Sequence, residues 1–407
     1  MSLEFPIQQV RSQFPALRTG SALMDGAGGT QMPLSVADAI RDGALSSVAQ
    51  RGTQNHLSAN ADRTVRAARE AMADFVNADP RGIVFGRSAT QLTFDIATAF
   101  AKLLSPGDEI VVSRLDHDAN VAPWLLAAEL SGATVRWIDF DPGTAELTVE
   151  HAAAAIGPAT RLVALTAASN LFGSCPDIAA ISELVHEHGA LFYVDAVAYA
   201  PHRLVDFEAL GADLLVCSPY KFCGPHIGVL ASRPEVLEQL HPNKLRPSTE
   251  EVPERFELGT LPYELLAGVT AAVEFLAGVI PSSGTRREQL VRSYEGLHAH
   301  EQALIGRLRD GLAGIEGVHR IAVAGRTLPS VLFSIDGISP LEASARLGEQ
   351  NVVIGGGLFY AYEAGLHAGL GEGGLRASMA PYTSLDDIDR VLREVGALAR
   401  FASSHDA

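Results

Sequence analysis

Two residues near the middle of the chain could share one piece of chemistry: Asp195 and Lys221. Both lie in the stretch LFYVDAVAYAPHRLVDFEALGADLLVCSPYKFCGPHIGVL, residues 191–230. An apolar strand ends at Asp195, and a second ends at Cys217-Ser218 with Lys221 close behind. In open α/β sheets ligand groups gather at the carboxyl ends of strands, which is where both residues are expected. A lysine amine there can hold an aldehyde, and an aspartate can keep a pyridine nitrogen protonated. That is the pair pyridoxal phosphate requires, the cationic ring serving as electron sink and the lysine moving a proton. Taken alone, an Asp and a Lys after two strands also fit structural or solvated positions.

The elements that must position them follow from the hydrophobic pattern. Apolar runs predict strands over Gly82–Phe85, Glu109–Ser113, Thr134–Asp139, Leu162–Thr166, Leu191–Val194, Leu214–Cys217 and Gly228–Ala231. Helical periodicity falls between them, over Arg63–Val76, Ala89–Leu104, Val121–Ser131 and Ile178–His188. Continuous apolar strands alternating with helices indicate a mostly parallel seven-stranded sheet covered on both faces. From about Pro262 the texture changes. Helices are predicted over Pro262–Val279, Arg286–Ala313 and Pro340–Gln350, and from about Ser384 to Phe401. Strands are predicted over Arg320–Val323, Ser330–Ile335 and Val352–Ile354. We expect a large α/β domain over residues 20–265, and a smaller α+β domain from residues 1–19 and 266–407.

Composition supports a large core: of 407 residues, 47% are hydrophobic and 19% charged. With a net charge of −17 and no run of Lys or Arg, neither nucleic acid nor an anionic membrane is an expected partner. No apolar run is long enough for a membrane span, and the N-terminus lacks the pattern of a signal peptide. Cys175, Cys217 and Cys223 form no CxxC pair, as expected of free thiols in a cytoplasmic protein.

Several separated segments, in order along residues 22–390, resemble the class V aminotransferase family in its cysteine desulfurase-like branch. LMDGAGGT is similar to that family's opening Leu-Asp-Asn-Ala-Ala segment, and GRSATQ to its phosphate turn. There Ala89 and Thr90 open a helix, whose N-terminus is a ready anion site. DHDANVAPW resembles the segment whose histidine stacks on the cofactor ring, which implies that role for His117. SNLFG implies that Asn170 bonds the ring oxygen or the substrate, and SPYK places Ser218 and Tyr220 near the phosphate. FELGT resembles the loop whose threonine reaches the partner subunit's phosphate, so Thr260 implies a homodimer. RASMAPYTS implies that Arg376 clamps the substrate carboxylate with a bidentate fork. The resemblance thus implies fold type I, pyridoxal 5'-phosphate on Lys221, and a small amino acid as substrate.

The pattern breaks where a desulfurase carries its sulfur-accepting cysteine. The corresponding loop here reads GLFYA, with Tyr360 at the cysteine's place, and a phenol cannot accept sulfane sulfur. Asp118 stands where many members have a second histidine, Ala198 where they have a glutamine, and Tyr220 where they have a phosphate-binding histidine. Cys223, two residues past Lys221, is read as core. Tyr360 either fills the vacated space or serves as acid or base over the Cα–Cβ bond. The expected reaction is removal of the Cα proton by Lys221 and loss of a β or γ leaving group, of C–S lyase type, with His117 protonating the group that leaves. Desulfuration, transamination and epimerisation remain open, as does a cofactor-binding protein without turnover.

Other features have plainer readings. GAGGT and Gly355–Gly357 match no nucleotide fingerprint and are expected to be turns. His186 and His188 point to different helix faces, which does not make a metal site. Asp116 is expected to cap a turn, and Arg51 fits either a substrate rim or the surface.

Overall fold

A computed structural model describes residues 5–46 and 48–404. Its largest sheet has seven strands. In spatial order they are Ile83–Gly86, Gly228–Ser232, Leu214–Cys217, Leu191–Asp195, Thr160–Thr166, Glu109–Ser113 and Thr134–Ile138. Gly228–Ser232 runs antiparallel to both neighbours and every other pairing is parallel. This is the mostly parallel, helix-covered sheet of fold type I, and each predicted strand is present to within two residues.

Alternation along the strands divides the core into two layers. Val111, Val163 and Leu165 pack with Val65, Met72 and Val269 of the helices His56–Val76 and Tyr263–Ala277. Their neighbours Ile110, Val112, Leu162 and Ala164 pack on the other face with Leu92, Ile96 and Trp124 of the helices Ala89–Ala101 and Ala122–Ser131. Successive strand side chains point to opposite faces, so apolar residues at every position require cover on both.

A second, antiparallel sheet has the order Gly355–Gly357, Gly374–Ser378, Ser330–Ile335, Val318–Arg320. It packs on the helices Arg286–Ala313 and Leu385–Ser403 through Leu304, Phe333, Ala377 and Val391. Near the N-terminus Ala22–Leu23 pairs in parallel with Val352–Val353, and Ser378 N–H donates to the Met24 carbonyl at 2.8 Å. This pairing sets Asp25 beside the strand that carries Arg376.

Two expectations need correcting. Gly355–Gly357 is a strand, not a turn. A Cβ on Gly356 would stand 2.3 Å from the Pro340 carbonyl oxygen, so the glycine lets the preceding helix, Pro340–Glu349, approach the sheet edge. The strand expected at Arg320–Val323 lies instead at Val318–Arg320. Ile321 still donates to Leu332 at 2.9 Å, but Ala322 turns to φ 50° and ends the pairing.

Candidate active site

The carboxyl ends of the strands Leu191–Asp195 and Leu214–Cys217 open on one cleft. Its inner part is lined by Ala89, Thr90, His117, Asn170, Asp195, Ser218, Tyr220 and Lys221, among others. It continues outward into a cavity of about 580 Å³ that adds Asp25, Phe94, Asp118, Phe359, Tyr360 and Arg376. The residues expected to hold cofactor or substrate therefore meet in one place, with Thr260 the exception. Thr260 lines a separate cavity with Gly86, Arg87 and His226, and its hydroxyl bonds Gln50.

Lys221 sits in a short 3-10 turn, Pro219–Lys221, and is nearly buried. Its Nζ donates to the carbonyl oxygen of Ala27, so the N-terminal segment forms part of its seat. Burial, with Arg376 nearby, pulls its amine down to about 8, against the opposing pull of Asp195 and Asp25. Asp195 is pushed up to about 6 by burial, offset by the N–H of Val197, which donates to it at 2.8 Å, and by Lys221. His117 is held neutral, at about 4, by burial and by the cations Lys221 and Arg376. Its Nδ1 accepts from Ala119 N–H at 3.0 Å, which fixes the ring's tautomer.

The far wall of the inner cleft is the start of the helix Ala89–Ala101. Ser88 caps it, its hydroxyl accepting from Gln91 N–H at 3.1 Å. Ala89 and Thr90 occupy the first turn, where backbone N–H groups have no partner within the helix. A Cβ on Gly228 would lie 2.2 Å from the Ser88 carbonyl carbon, so the glycine allows this turn to rest on the neighbouring strand. Tyr220 stacks flat on His226, with centroids 4.7 Å apart and planes 8° apart.

Arg376 is buried, with Nη1 donating to the Asn170 carbonyl at 2.8 Å and Nη2 to Asp25 at 2.8 Å. Its guanidinium lies 3.8 Å from the centre of the Phe359 ring, and its Nε has no partner. Asn170 donates through Nδ2 to the Phe359 carbonyl at 2.8 Å, while its buried Oδ1 is unpaired. Phe359 and Tyr360 both hold left-handed backbone, with φ of 53° and 60°. Tyr360 is 79% exposed and stacks on His117, with centroids 5.6 Å apart.

Sequence reasoning passed over Asp25 and Phe359, although both stand inside quoted motifs. It also undervalued Asp116, which is fully buried. This carboxylate accepts from the Ser113 hydroxyl and from Asn120 Nδ2 at 2.7 Å, and Asn120 in turn accepts from Trp124 Nε1 at 3.1 Å. Burial, reinforced by Asp195, pushes Asp116 up to about 8. Arg51 pairs with Asp62 at 3.0 Å and Glu254 at 3.2 Å, and does not line the cleft.

Residues 22–391 match the family model described as aminotransferase class-V. The chain belongs to the class-V aminotransferase family. An aminotransferase-like protein of Gibberella zeae is 32% identical over 96% of this chain and 98% of its own length. The cysteine desulfurase CsdA of Escherichia coli is 30% identical over 95% of this chain and 96% of its own length. Its crystal structure superposes with a TM-score of 0.85, covering 98% of this chain and 99% of the other. A C-DES variant with glycine covalently linked to its PLP cofactor is 22% identical, covers 95% of this chain and 98% of the other, and has a TM-score of 0.77; it shares the fold.

The cleft of this class-V enzyme fits pyridoxal phosphate on its own chemistry. A desolvated lysine faces it, a buried carboxylate has spare acceptor capacity, and a helix start offers backbone donors for an anion. No helix among the described residues is long and apolar enough to cross a membrane.

Proposed function

We propose that this class-V, cysteine desulfurase-like enzyme holds pyridoxal phosphate on Lys221 and removes a β or γ substituent from an amino acid after taking its Cα proton. When bound, the cofactor supplies an electron sink conjugated to Cα. Asp195 would face the pyridine nitrogen, its carboxylate favouring the protonated ring. Ala89 and Thr90 at the helix start, with Ser218 and Tyr220, hold the phosphate. His117, neutral and half-buried, would lie against the ring face. Arg376 receives the substrate's α-carboxylate, with Asn170 beside it. Lys221 Nζ, pulled down to about 8, carries the Cα proton near neutral pH. Lys221 can pass that proton on to the departing group, since His117, held at about 4, has none to give near neutral pH.

The observation that carries elimination over desulfuration is where the thiols lie. None of the three cysteines lines the cleft. Burial pushes Cys175 up to about 11 and Cys223 up to about 12, and raises Cys217 as well, so none is a ready nucleophile. Sulfur or another group then leaves free. Homodimerisation, with Thr260 reaching the partner's phosphate, and a cytoplasmic address complete the reading.

The test is direct. Purified protein should take up pyridoxal phosphate with a visible absorption band, and Lys221→Ala should abolish that band. Incubation with cysteine should release free sulfide without loading sulfur on a protein thiol. A persulfide trapped on Cys223 would overturn the elimination reading.

A further inference from the structure

The two most telling departures from the desulfurase pattern, Asp118 and Tyr360, touch one another. Asp118 N–H donates to the Tyr360 carbonyl at 2.8 Å, and both line the outer cavity in front of Lys221. One face of the phenol ring rests on His117, and most of the side chain is exposed. The outer wall thus sets a carboxylate and an aromatic ring side by side, where the desulfurase pattern has a histidine and a cysteine.

The charges in this cavity do not balance for a small neutral substrate. Asp25 is paired with Arg376, and Asp118 forms no ion pair among the described residues. Arg376 is 2% exposed and still has an unpartnered Nε, so its fork is arranged for a further acceptor from a ligand. Once an α-carboxylate also takes the guanidinium, one cation faces two carboxylates there, and Asp25 is left without a full counter-charge. His117 is neutral and Lys221 is committed to the cofactor, so neither answers Asp25 or Asp118. An unpaired charge in a partly desolvated cleft is costly. An apolar side chain would fill the space and leave both carboxylates unanswered.

We propose that the substrate carries a second positive charge at the end of its side chain, an ammonium or guanidinium, seated against Tyr360 and Asp118. This rests on the reading of the cleft as an amino-acid site with its carboxylate on Arg376. The phenol face attracts the cation through its quadrupole while Asp118 pairs with it. Asp25, sharing Arg376 with the α-carboxylate, adds negative charge to the same cavity.

Matched pairs of amino acids test it on the cofactor-loaded protein: L-lysine against L-norleucine, and L-arginine against L-citrulline. Binding is read twice, from the shift of the visible band and from calorimetric heat. Each cationic member should bind at least about tenfold more tightly than its neutral partner, a difference of about 1.4 kcal/mol. Asp118→Asn should reduce that ratio to within about threefold. Should Asp118→Asn fail to fold, Tyr360→Leu should lower the same ratio, and the wild-type comparison is decisive in either case. Equal binding of norleucine and lysine, or response to cysteine and alanine alone, overturns the proposal. A coloured protein that answers no amino acid overturns the underlying site reading as well, and a protein that never takes colour overturns the cofactor assignment.

Discussion

Arg376 donates through Nη2 to Asp25 at 2.8 Å, across 351 residues of sequence. The contact exists because Asp25 follows a segment paired with Val352–Val353, while Arg376 points inward from the strand Gly374–Ser378. An incoming carboxylate must therefore compete with Asp25 for the guanidinium. Arg376→Lys keeps the charge and loses the fork, so the KM for the amino-acid substrate should rise about 10- to 100-fold, with kcat changing less. Steady-state kinetics check this, and an unchanged KM would remove Arg376 from substrate binding.

Phe359 and Tyr360 are consecutive aromatic residues in left-handed backbone, a conformation that costs a non-glycine residue about 1 kcal/mol or more. Tyr360 is mostly exposed, so little burial opposes that cost. Tyr360→Gly should raise stability by up to about 1 kcal/mol while weakening amino-acid binding. Tyr360→Ala, which keeps the strained φ, should show no such gain. Denaturant midpoints of the three proteins decide the matter.

How much of this was legible in the sequence follows from which interactions are local. Asp195 and Lys221 could be placed because each follows an apolar strand, and strand ends locate ligands in such sheets. Ala89 and Thr90 could be placed because GRSATQ resembles a phosphate turn that opens a helix. Asp25 could not, since its role depends on a partner distant in sequence and on a two-residue pairing too short to leave a period. Gly355–Gly357 reads as a turn because three glycines carry no side-chain alternation, and its strand is set by its neighbour. Asp116 looked like a turn cap because its sequence does not show how deeply the loop after Ser113 is buried.

Asp116 has a consequence for stability. Its folded pKa, about 8, lies far above that of an exposed carboxyl, near 4. Between those values the folded protein holds a proton that the unfolded chain has released. The stability this contributes is fully present below about pH 4 and is lost as pH rises through about 8. Cofactor-free protein should therefore weaken over that interval, and Asp116→Asn should flatten the slope by an amount of the order of a few kcal/mol. Urea unfolding across the range checks it, and a slope unaltered by the substitution would mean that Asp116 is ionised in the fold.

Lys221 offers a reading of the cleft that needs no turnover. Only the neutral amine can capture an aldehyde, and its folded pKa is about 8 against an ordinary value of 10.5. Capture of pyridoxal phosphate by the cofactor-free protein should speed up with rising pH and level off above about 8. Growth of the visible band at fixed cofactor concentration measures this. Asp25 contributes a pull in the opposite direction, since its carboxylate favours the charged amine. Asp25→Asn should therefore move the midpoint to lower pH, whereas a substitution acting only through general loosening of the cleft would move it up towards 10.5. The sign of that shift separates an electrostatic role for Asp25 from a purely architectural one.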